Sequence, residues 1–355
     1  MNEKEITRQG RKCQSCGGNM SFSPKDKGLK CEFCQNVEKL DYDFEIIKHN
    51  FKGNVENKTE YDKFASENKV FKCSNCGANV VLNKLEVAKK CPYCGSSYVA
   101  EEKEMPSLKP DAIIPFKYSK EEAGKLYKQR VKKKWFLPNK FKKEPPTDNI
   151  SGVYVPCFSF DAKTTTTYKG VLAHTTTTVV NGKTHTNTTY QNISGNKDLN
   201  QKDIMVETSS HLTQDIFDEL KPYATSELVK FTSDFILGYS VEYYDNSLSN
   251  CKKIADNMME KIIKNQVLSQ YSYSSVVSYS QNTTFADEKY NYCILPIYQV
   301  RYKYKEKDYL TYMNGQTGKL AGKMPKSPVK ITFFVLFIIL IAVALGLLFY
   351  FTDWF

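Results

Sequence analysis

Histidine is scarce in this chain. There are four in 355 residues, His49, His174, His185 and His211, and they are scattered without metal-ligand spacing. That argues against the imidazole-based metal and acid–base constellations. Tryptophan is rarer, at two. The opening Met-Asn-Glu-Lys-Glu-Ile-Thr-Arg has no apolar stretch, so no secretory signal is expected. A phosphate loop is missing as well. The nearest lookalike is Asn314-Gly315-Gln316-Thr317-Gly318-Lys319. A true loop needs Gly five positions before its Gly-Lys pair, with Ser or Thr after the Lys. Met313 and Leu320 hold those places, and Asn314-Gly315 reads as a turn. Cys157, Cys251 and Cys293 sit in apolar contexts and read as buried small hydrophobes. No local signature makes Cys157 half of a thiol–histidine pair. With no catalytic constellation and no evident small-molecule substrate, the sequence does not predict an enzyme.

What the chain does have is cysteine in a fixed frame. Eight of its eleven cysteines form two copies of one pattern. Cys13-x2-Cys16 is followed by Cys31-x2-Cys34, and Cys73-x2-Cys76 by Cys91-x2-Cys94, with the same interval each time. Two residues between paired thiolates let both sulfurs of a tight turn face one ion, and two such turns complete a tetrahedral S4 shell. The duplication extends beyond the cysteines. Lys12-Cys13-Gln14-Ser15-Cys16-Gly17 aligns with Lys72-Cys73-Ser74-Asn75-Cys76-Gly77 at a period of 60 residues. Gly after a knuckle takes a positive φ and turns backbone N–H groups toward the sulfurs. Gln35 interrupts this rule, so a looser knuckle is expected there. The predicted ligands are Cys13, Cys16, Cys31 and Cys34 for one ion and Cys73, Cys76, Cys91 and Cys94 for a second. Both ions are read as structural zinc, since four thiolates leave no open position. Disulfides would require an oxidising compartment, and iron is the remaining alternative.

The other strong feature is at the C-terminus. Ile331 to Phe351 is 21 residues without a charge. At about 1.5 Å per residue it matches the ~30 Å core of a bilayer. Lys319, Lys323, Lys326 and Lys330 precede it, and Asp353 follows. The positive-inside rule then keeps the N-terminal side and the bulk of the chain in the cytoplasm, as a tail-anchored, single-pass protein of the cell membrane. Tyr350 and Trp354 suit the far interface. A reducing cytoplasm agrees with free thiolates.

Net charge is +11, concentrated between Lys117 and Lys143, where eleven Lys and Arg face only Glu121 and Glu122. Such a run suits a solvated helix face, anionic lipid, or nucleic-acid phosphates. Ser119 and Glu122 form a capping-box pattern, predicting a helix from Lys120 to about Trp135. Val153–Phe158 reads as a strand ending near Asp161. Tyr168–Val180 and Lys183–Tyr190 read as a hairpin around Asn181-Gly182. Its many threonines make it polar on both faces, as an exposed arm or as an edge for strand addition. Asn246–Leu268 reads as an amphipathic helix. Tyr271–Gln281, Tyr290–Tyr304 and Tyr309–Met313 read as strands. Ile114-Pro115-Phe116, Val155-Pro156-Cys157 and Leu295-Pro296-Ile297 recur as short apolar–Pro–apolar segments, read either as strand entries or as edge-strand prolines.

The cysteine units resemble tandem zinc ribbons over residues 11–36 and 71–96, and Cys91-Pro92-Tyr93-Cys94-Gly95 is similar to a rubredoxin knuckle. The whole chain resembles a bacterial group with N-terminal zinc ribbons, a mixed central domain and one C-terminal span. The resemblance is carried by Gly152-Val153-Tyr154-Val155-Pro156, Phe158, Phe160-Asp161 and the stretch Tyr312–Leu320 with Gly322. Cys157 departs from it, standing where relatives usually carry an aromatic. The primosomal-helicase-like label often attached to such chains implies no activity here, because no motor domain is present. Relatives encoded beside phage-shock protein A homologues look like membrane anchors that recruit that stress protein.

The expected architecture is multi-domain: ribbon 1 at 11–36, a linker at 37–70, ribbon 2 at 71–96, a basic helical linker at 97–150, an α+β domain at 151–320, and a transmembrane helix at 331–351. The expected function is a membrane-anchored adaptor that recruits a protein partner in envelope stress. The alternative is a membrane-tethered nucleic-acid binder using the ribbons and the 117–143 run.

Overall fold

The computed structural model describes residues 11–51, 68–75, 79–83, 91, 96, 100–103, 109–147, 149–180, 182–209, 212–244 and 246–352. The N-terminal third supplies short strands: β1 (Met20–Ser23), β2 (Gly28–Cys31), β3 (Val37–Lys39) and β4 (His49–Asn50). They are followed by β5 (Asn68–Cys73), β6 (Asn79–Asn83), β7 (Ala100–Lys103) and β8 (Ala112–Ile113). Helices α1 (Lys120–Lys133) and α2 (Asn139–Lys143) precede two very long strands, β9 (Ile150–Val180) and β10 (Lys183–Glu207). Then come α3 (Gln214–Leu220), β11 (Val229–Lys230), β12 (Ser240–Glu242) and α4 (Leu248–Leu268). The chain closes with β13 (Ser275–Tyr304), β14 (Lys307–Asn314), β15 (Leu320–Gly322) and α5 (Pro328–Thr352).

Strand β9 organises the molecule. Its 31 residues extend about 100 Å at ~3.3 Å per residue. It pairs antiparallel with β13 from Ile150↔Val300 to Ala173↔Ser275, and with β10 from Cys157↔Glu207 to Val180↔Lys183. The strand predicted to end near Asp161 therefore continues into the hairpin. Threonine accounts for the continuity, because its β-branched side chain favours extended backbone even where the pattern is polar. Burial alternates through the junction: Ala162, Thr164 and Thr166 point in, while Lys163, Thr165 and Thr167 point out.

The arm is consequently not polar and open on both faces along its whole length. Helix α4 covers its base, where Gln201 Nε2 donates to Thr164 Oγ1 (3.4 Å) and to the Met259 carbonyl (3.4 Å). Further out, Leu172, Ile193 and Leu268 form a small apolar cluster with Tyr168, Tyr271 and Tyr279 around it. Only beyond the reach of β13 do the threonines of the tip, such as Thr175–Thr178, lie exposed. Among the described strands β10 pairs with β9, and at the end of its other edge Glu207 N donates to Gln214 Oε1 (3.0 Å) and Met205 O accepts from Lys221 Nζ (3.2 Å).

Two of the three apolar–Pro–apolar segments, those of Pro156 and Pro296, sit inside the sheet rather than at its rim. Pro156 lies opposite Ile294 and Pro296 opposite Tyr154. On its other side β9 passes from β12 (Tyr154↔Val241) to β10 (Cys157↔Glu207). Likewise β13 passes from β8 (Ile294↔Ile113) to β14 (Ile297↔Asn314). Each proline thus occupies a handover between partner strands, where a missing N–H leaves no ladder bond unmade. Their carbonyls still accept, from Thr208 N (3.4 Å) and Gly315 N (2.9 Å).

Phe116, the third such segment's aromatic, stacks on Tyr239 (4.2 Å between centroids) and meets Tyr154 and Tyr298 at 4.8 and 4.7 Å. This aromatic nest needs small backbone beside it. A Cβ on Gly315 would lie 2.7 Å from the Phe116 ring, and one on Gly152 would lie 2.5 Å from Tyr239.

The helices follow their sequence signals closely. Ser119 caps α1, with its hydroxyl accepting from Glu122 N and the Glu122 carboxylate accepting from Ser119 N. Tyr127 and Val131 are buried, Leu126 is half-buried, and Arg130 remains exposed. Helix α4, capped by Ser247, buries Cys251, Ala255, Met259, Ile263 and Val267, while Ile254, Met258 and Ile262 sit at the margin. It also buries Lys252, whose ammonium is paired with Asp256 (2.5 Å) and Glu288 and lies over the rings of Phe51 and Phe285.

Part of the stretch expected as linker joins the sheet. Strand β4 pairs with β13 at Asn50↔Lys289, and Phe51 packs edge-on against Phe160 and Tyr290. Helix α5 differs from everything before it. From Pro328 to Leu348 it is long and apolar enough to cross a membrane, and none of that window is buried in the protein.

Asn314 closes the β14–β15 turn. Its Oδ1 accepts from Gln316 N (2.8 Å) and Thr317 N (2.9 Å), and its Nδ2 donates to the Leu220 (3.0 Å) and Pro222 (3.3 Å) carbonyls. Asn314→Ala strands all four groups in a buried site and is expected to cost about 2–4 kcal/mol. The fall in thermal midpoint of the detergent-solubilised protein measures this. Asn314→Asp should not rescue it, since a carboxylate would face two carbonyls.

Candidate metal centre

The first cysteine unit is a three-stranded sheet, β1-β2-β3, with one knuckle before β1 and one after β2. In the first knuckle Cys13 N donates to Gly18 O (2.8 Å) and Gly17 N to Cys13 O (2.8 Å). In the second, Cys31 N donates to Asn36 O (2.9 Å) and Gln35 N to Cys31 O (3.2 Å). The two turns therefore share one fold. Gly17 adopts φ +73° and Gln35 adopts φ +63°. Gln35 was expected to loosen its knuckle, yet it takes the same left-handed conformation. An L-residue there costs roughly 1–2 kcal/mol. Its Nε2 donates to Glu32 O (3.0 Å), which helps hold the turn.

The four sulfurs of Cys13, Cys16, Cys31 and Cys34 all lie within 4.8 Å of one another. The Cys13–Cys34 and Cys16–Cys31 sulfurs are each 3.5 Å apart. A tetrahedron with metal–sulfur bonds of about 2.3 Å has sulfur–sulfur edges of about 3.8 Å, so the cluster is the right size for one ion. Cys13 and Cys31 are buried, and Cys16 and Cys34 face outward. Gly18 leaves room for them, because a Cβ there would lie 3.1 Å from the Cys31 sulfur and 2.5 Å from the Phe33 ring. Asn36 Nδ2 approaches the Cys13 sulfur at 3.9 Å, an outer contact that the cysteine spacing did not disclose.

The thiols are unequal. Backbone N–H bonds from Ser15, and then from Cys16, bring the Cys13 thiol down to about 6 despite its burial. The Cys34 N–H lowers Cys31 in the same way. At Cys34, the Asn36 N–H favours the thiolate, but the neighbouring sulfurs outweigh it and push the thiol up to about 12. Thiolates this close repel one another, and a divalent cation bound between them would supply the compensating charge. A closed S4 shell suits zinc or iron and offers no open coordination position.

The second unit repeats the pattern where it is described. Cys91 N donates to Ser96 O (2.8 Å), as Cys31 N does to Asn36 O. The Ser96 hydroxyl lies 3.5 Å from the Cys73 sulfur, as Asn36 lies beside Cys13. The Lys12↔Asn19 bridge recurs as Lys72↔Asn79. Cys73 and Cys91 are both buried. Cys76 and Cys94, predicted as the other two ligands, fall outside the described residues.

The first unit is bonded firmly to the body. Arg11 pairs with Asp234 (2.5 Å) and with Glu38. Phe22 N donates to Leu237 O (3.0 Å), and its ring meets Phe235 edge-on at 5.4 Å. Cys13, Met20, Phe22, Leu29 and Cys31 belong to the same buried cluster as Tyr154 and Phe158. The remaining cysteines, Cys157, Cys251 and Cys293, are fully buried. Cys157 faces Cys293 directly across β9 and β13, and desolvation raises all three thiols. They are protonated packing groups.

No protein-family model matches this chain, and no solved structure matches it. The chain is similar to a protein of Bacillus subtilis (strain 168) described as uncharacterized protein YdjG, 27% identical over 324 residues, covering 90% of this chain and 91% of that one. The likeness spans most of both chains and carries no stated activity.

Elemental analysis of the purified protein checks the centre. Cys31→Ser is expected to remove one equivalent of metal and, because Cys31 is core, to lower the thermal midpoint as well. Cys91→Ser is expected to remove a second equivalent. A wild-type content of one ion that Cys91→Ser leaves unchanged would eliminate the second site.

Proposed function

We propose that the chain is a membrane-anchored cytoplasmic scaffold, built as two zinc ribbons on an α+β domain with one transmembrane helix, that holds a protein partner at the bilayer. The observation that carries this reading is the joining of two features in one molecule. A closed S4 cluster, suited to structure rather than turnover, is packed into the body, and the 21 residues Pro328–Leu348 of α5 form an apolar helix that is not buried among the described residues. The lysines before the helix, Lys319, Lys323, Lys326 and Lys330, favour a cytoplasmic body by the positive-inside rule. Zinc is the reading of both S4 sets, because a reducing compartment keeps thiolates free.

The partner surface best supported by geometry is the outer edge of β10 towards the arm, between Lys183 and Leu199, where no other described strand pairs with it, and the exposed threonine tip of the β9–β10 arm. An unpaired edge accepts an added strand through main-chain hydrogen bonds. The resemblance to anchors of phage-shock protein A homologues supports a role in envelope stress. The scaffold reading needs no catalytic residue, and the buried, protonated Cys157, Cys251 and Cys293 offer no nucleophile.

Deleting residues 331–355 is expected to move both the chain and its co-purifying partner from membranes to the soluble fraction. Retention of the partner on membranes that contain only the truncated chain would sink the scaffold reading. The second reading, nucleic-acid binding, is favoured by the exposed Lys125, Lys128, Lys132 and Lys133 of α1. It requires an affinity that falls steeply with salt, on the order of 10³-fold between 50 and 200 mM for six or more phosphate contacts. A flat titration eliminates it.

A further inference from the structure

Helix α1 ends at Lys133, and the turn that follows presents Lys134, Trp135 and Phe136 to the outside. Trp135 is 66% exposed and Phe136 38%. Such side chains are unusual on a surface facing water. The neighbours of this turn explain the placement. The Phe136 ring meets Phe334 of α5 edge-on at 5.2 Å. Phe136 O accepts from Ser327 N (2.8 Å), just before α5 starts. Lys330 Nζ donates to the carbonyls of Trp135 (3.2 Å) and Leu137 (2.9 Å), and it lies 5.7 Å above the Trp135 ring. The turn is thereby bolted to the first two turns of the apolar helix.

Phe334 is only about 9 Å along α5 from Pro328 at 1.5 Å per residue. A helix that enters a bilayer near Pro328 therefore brings Trp135 and Phe136 to the level of the headgroups, the layer that aromatic residues with a polar edge prefer. Lysines outnumber carboxylates around them. Lys132, Lys133, Lys134, Lys140, Lys143, Lys323 and Lys326 are exposed nearby in the chain's two juxtamembrane segments. A groove of about 980 Å³ runs beside the turn, lined by Trp135, Ile216 and Met324, by Lys134, Lys323 and Lys326, and by the carboxylates Asp215 and Glu219 on its α3 side. Its apolar walls suit acyl chain, and the lysines of the groove and of the turn outnumber its two carboxylates, which favours a phospholipid whose headgroup is anionic.

We propose that the Lys132–Leu137 turn and this groove form a second membrane contact, seated in the headgroup layer of an anionic bilayer. The body is then held against the membrane in a fixed orientation rather than swinging from α5. This rests on the reading of α5 as a membrane span.

The test uses the full-length protein in nanodiscs of zwitterionic lipid, with or without anionic phosphatidylglycerol, and with lipids brominated high on the acyl chain. The chain has two tryptophans, so Trp354→Phe leaves Trp135 as the reporter of the turn, and Trp135→Phe leaves Trp354 as the reporter of the span. Trp135 emission is expected to shift to the blue and to lose intensity to the brominated lipid, more so with phosphatidylglycerol. Replacing Lys132, Lys133 and Lys134 by Gln should abolish that composition dependence. If Trp354 is quenched and Trp135 is not, the contact is overturned while the span stands. If neither is quenched, the span reading fails as well. Equal quenching in both compositions overturns the requirement for anionic lipid. A Trp135 response to an added single-stranded oligonucleotide but not to lipid assigns the surface to nucleic acid and overturns the proposal.

Discussion

The structure depends on satisfying the backbone of one strand. β9 runs for 31 residues, and each N–H and C=O along its inner length needs a partner once the sheet buries it. β13 supplies one side. The other side is supplied in pieces, by β12 and then β10. The strands that flank β9 in turn draw in distant parts of the chain: β13 pairs with β4, after the first cysteine unit, and with β8, before α1, and β12 pairs with β6 of the second unit. The result is a sheet assembled from segments that are short everywhere except in its three spines.

The cysteine centre obeys a different rule. Its geometry is set locally, by two matching turns whose N–H groups face inward, and so the spacing of the cysteines was enough to find it. The same holds for α1 and α4, whose caps at Ser119 and Ser247 and whose apolar spacing lie within one or two turns of chain. The Asn314 turn was legible for the same reason, because an Asx side chain closing its own loop is a short-range event.

Other features were not legible because no local signal encodes them. The fusion of two expected strands into β13 depends on β9 lying alongside, which carries the chain past the irregularity between Ala286 and Lys289. The burial of Thr164 and Thr166 depends on α4 folding back over them. Lys252 reads as a surface residue on a helix, but Glu288 and two aromatic rings from other segments make its burial tolerable. The pairing of Phe136 with Phe334 joins residues almost two hundred positions apart. Gln35 shows the converse. The sequence flagged it as a defect, whereas the turn imposes its left-handed conformation regardless of the side chain.

Cys13 and Cys31 belong to the same buried cluster as Tyr154, Phe158 and Tyr298. A cation that binds only the folded centre therefore stabilises the sheet along with the knuckles, since the two share one set of contacts. At a free concentration one hundred times its dissociation constant, such an ion adds about 2.7 kcal/mol to the folded state. An ion held there would thus tie the lifetime of the whole body, and not of the knuckles alone, to the metal supply of its compartment.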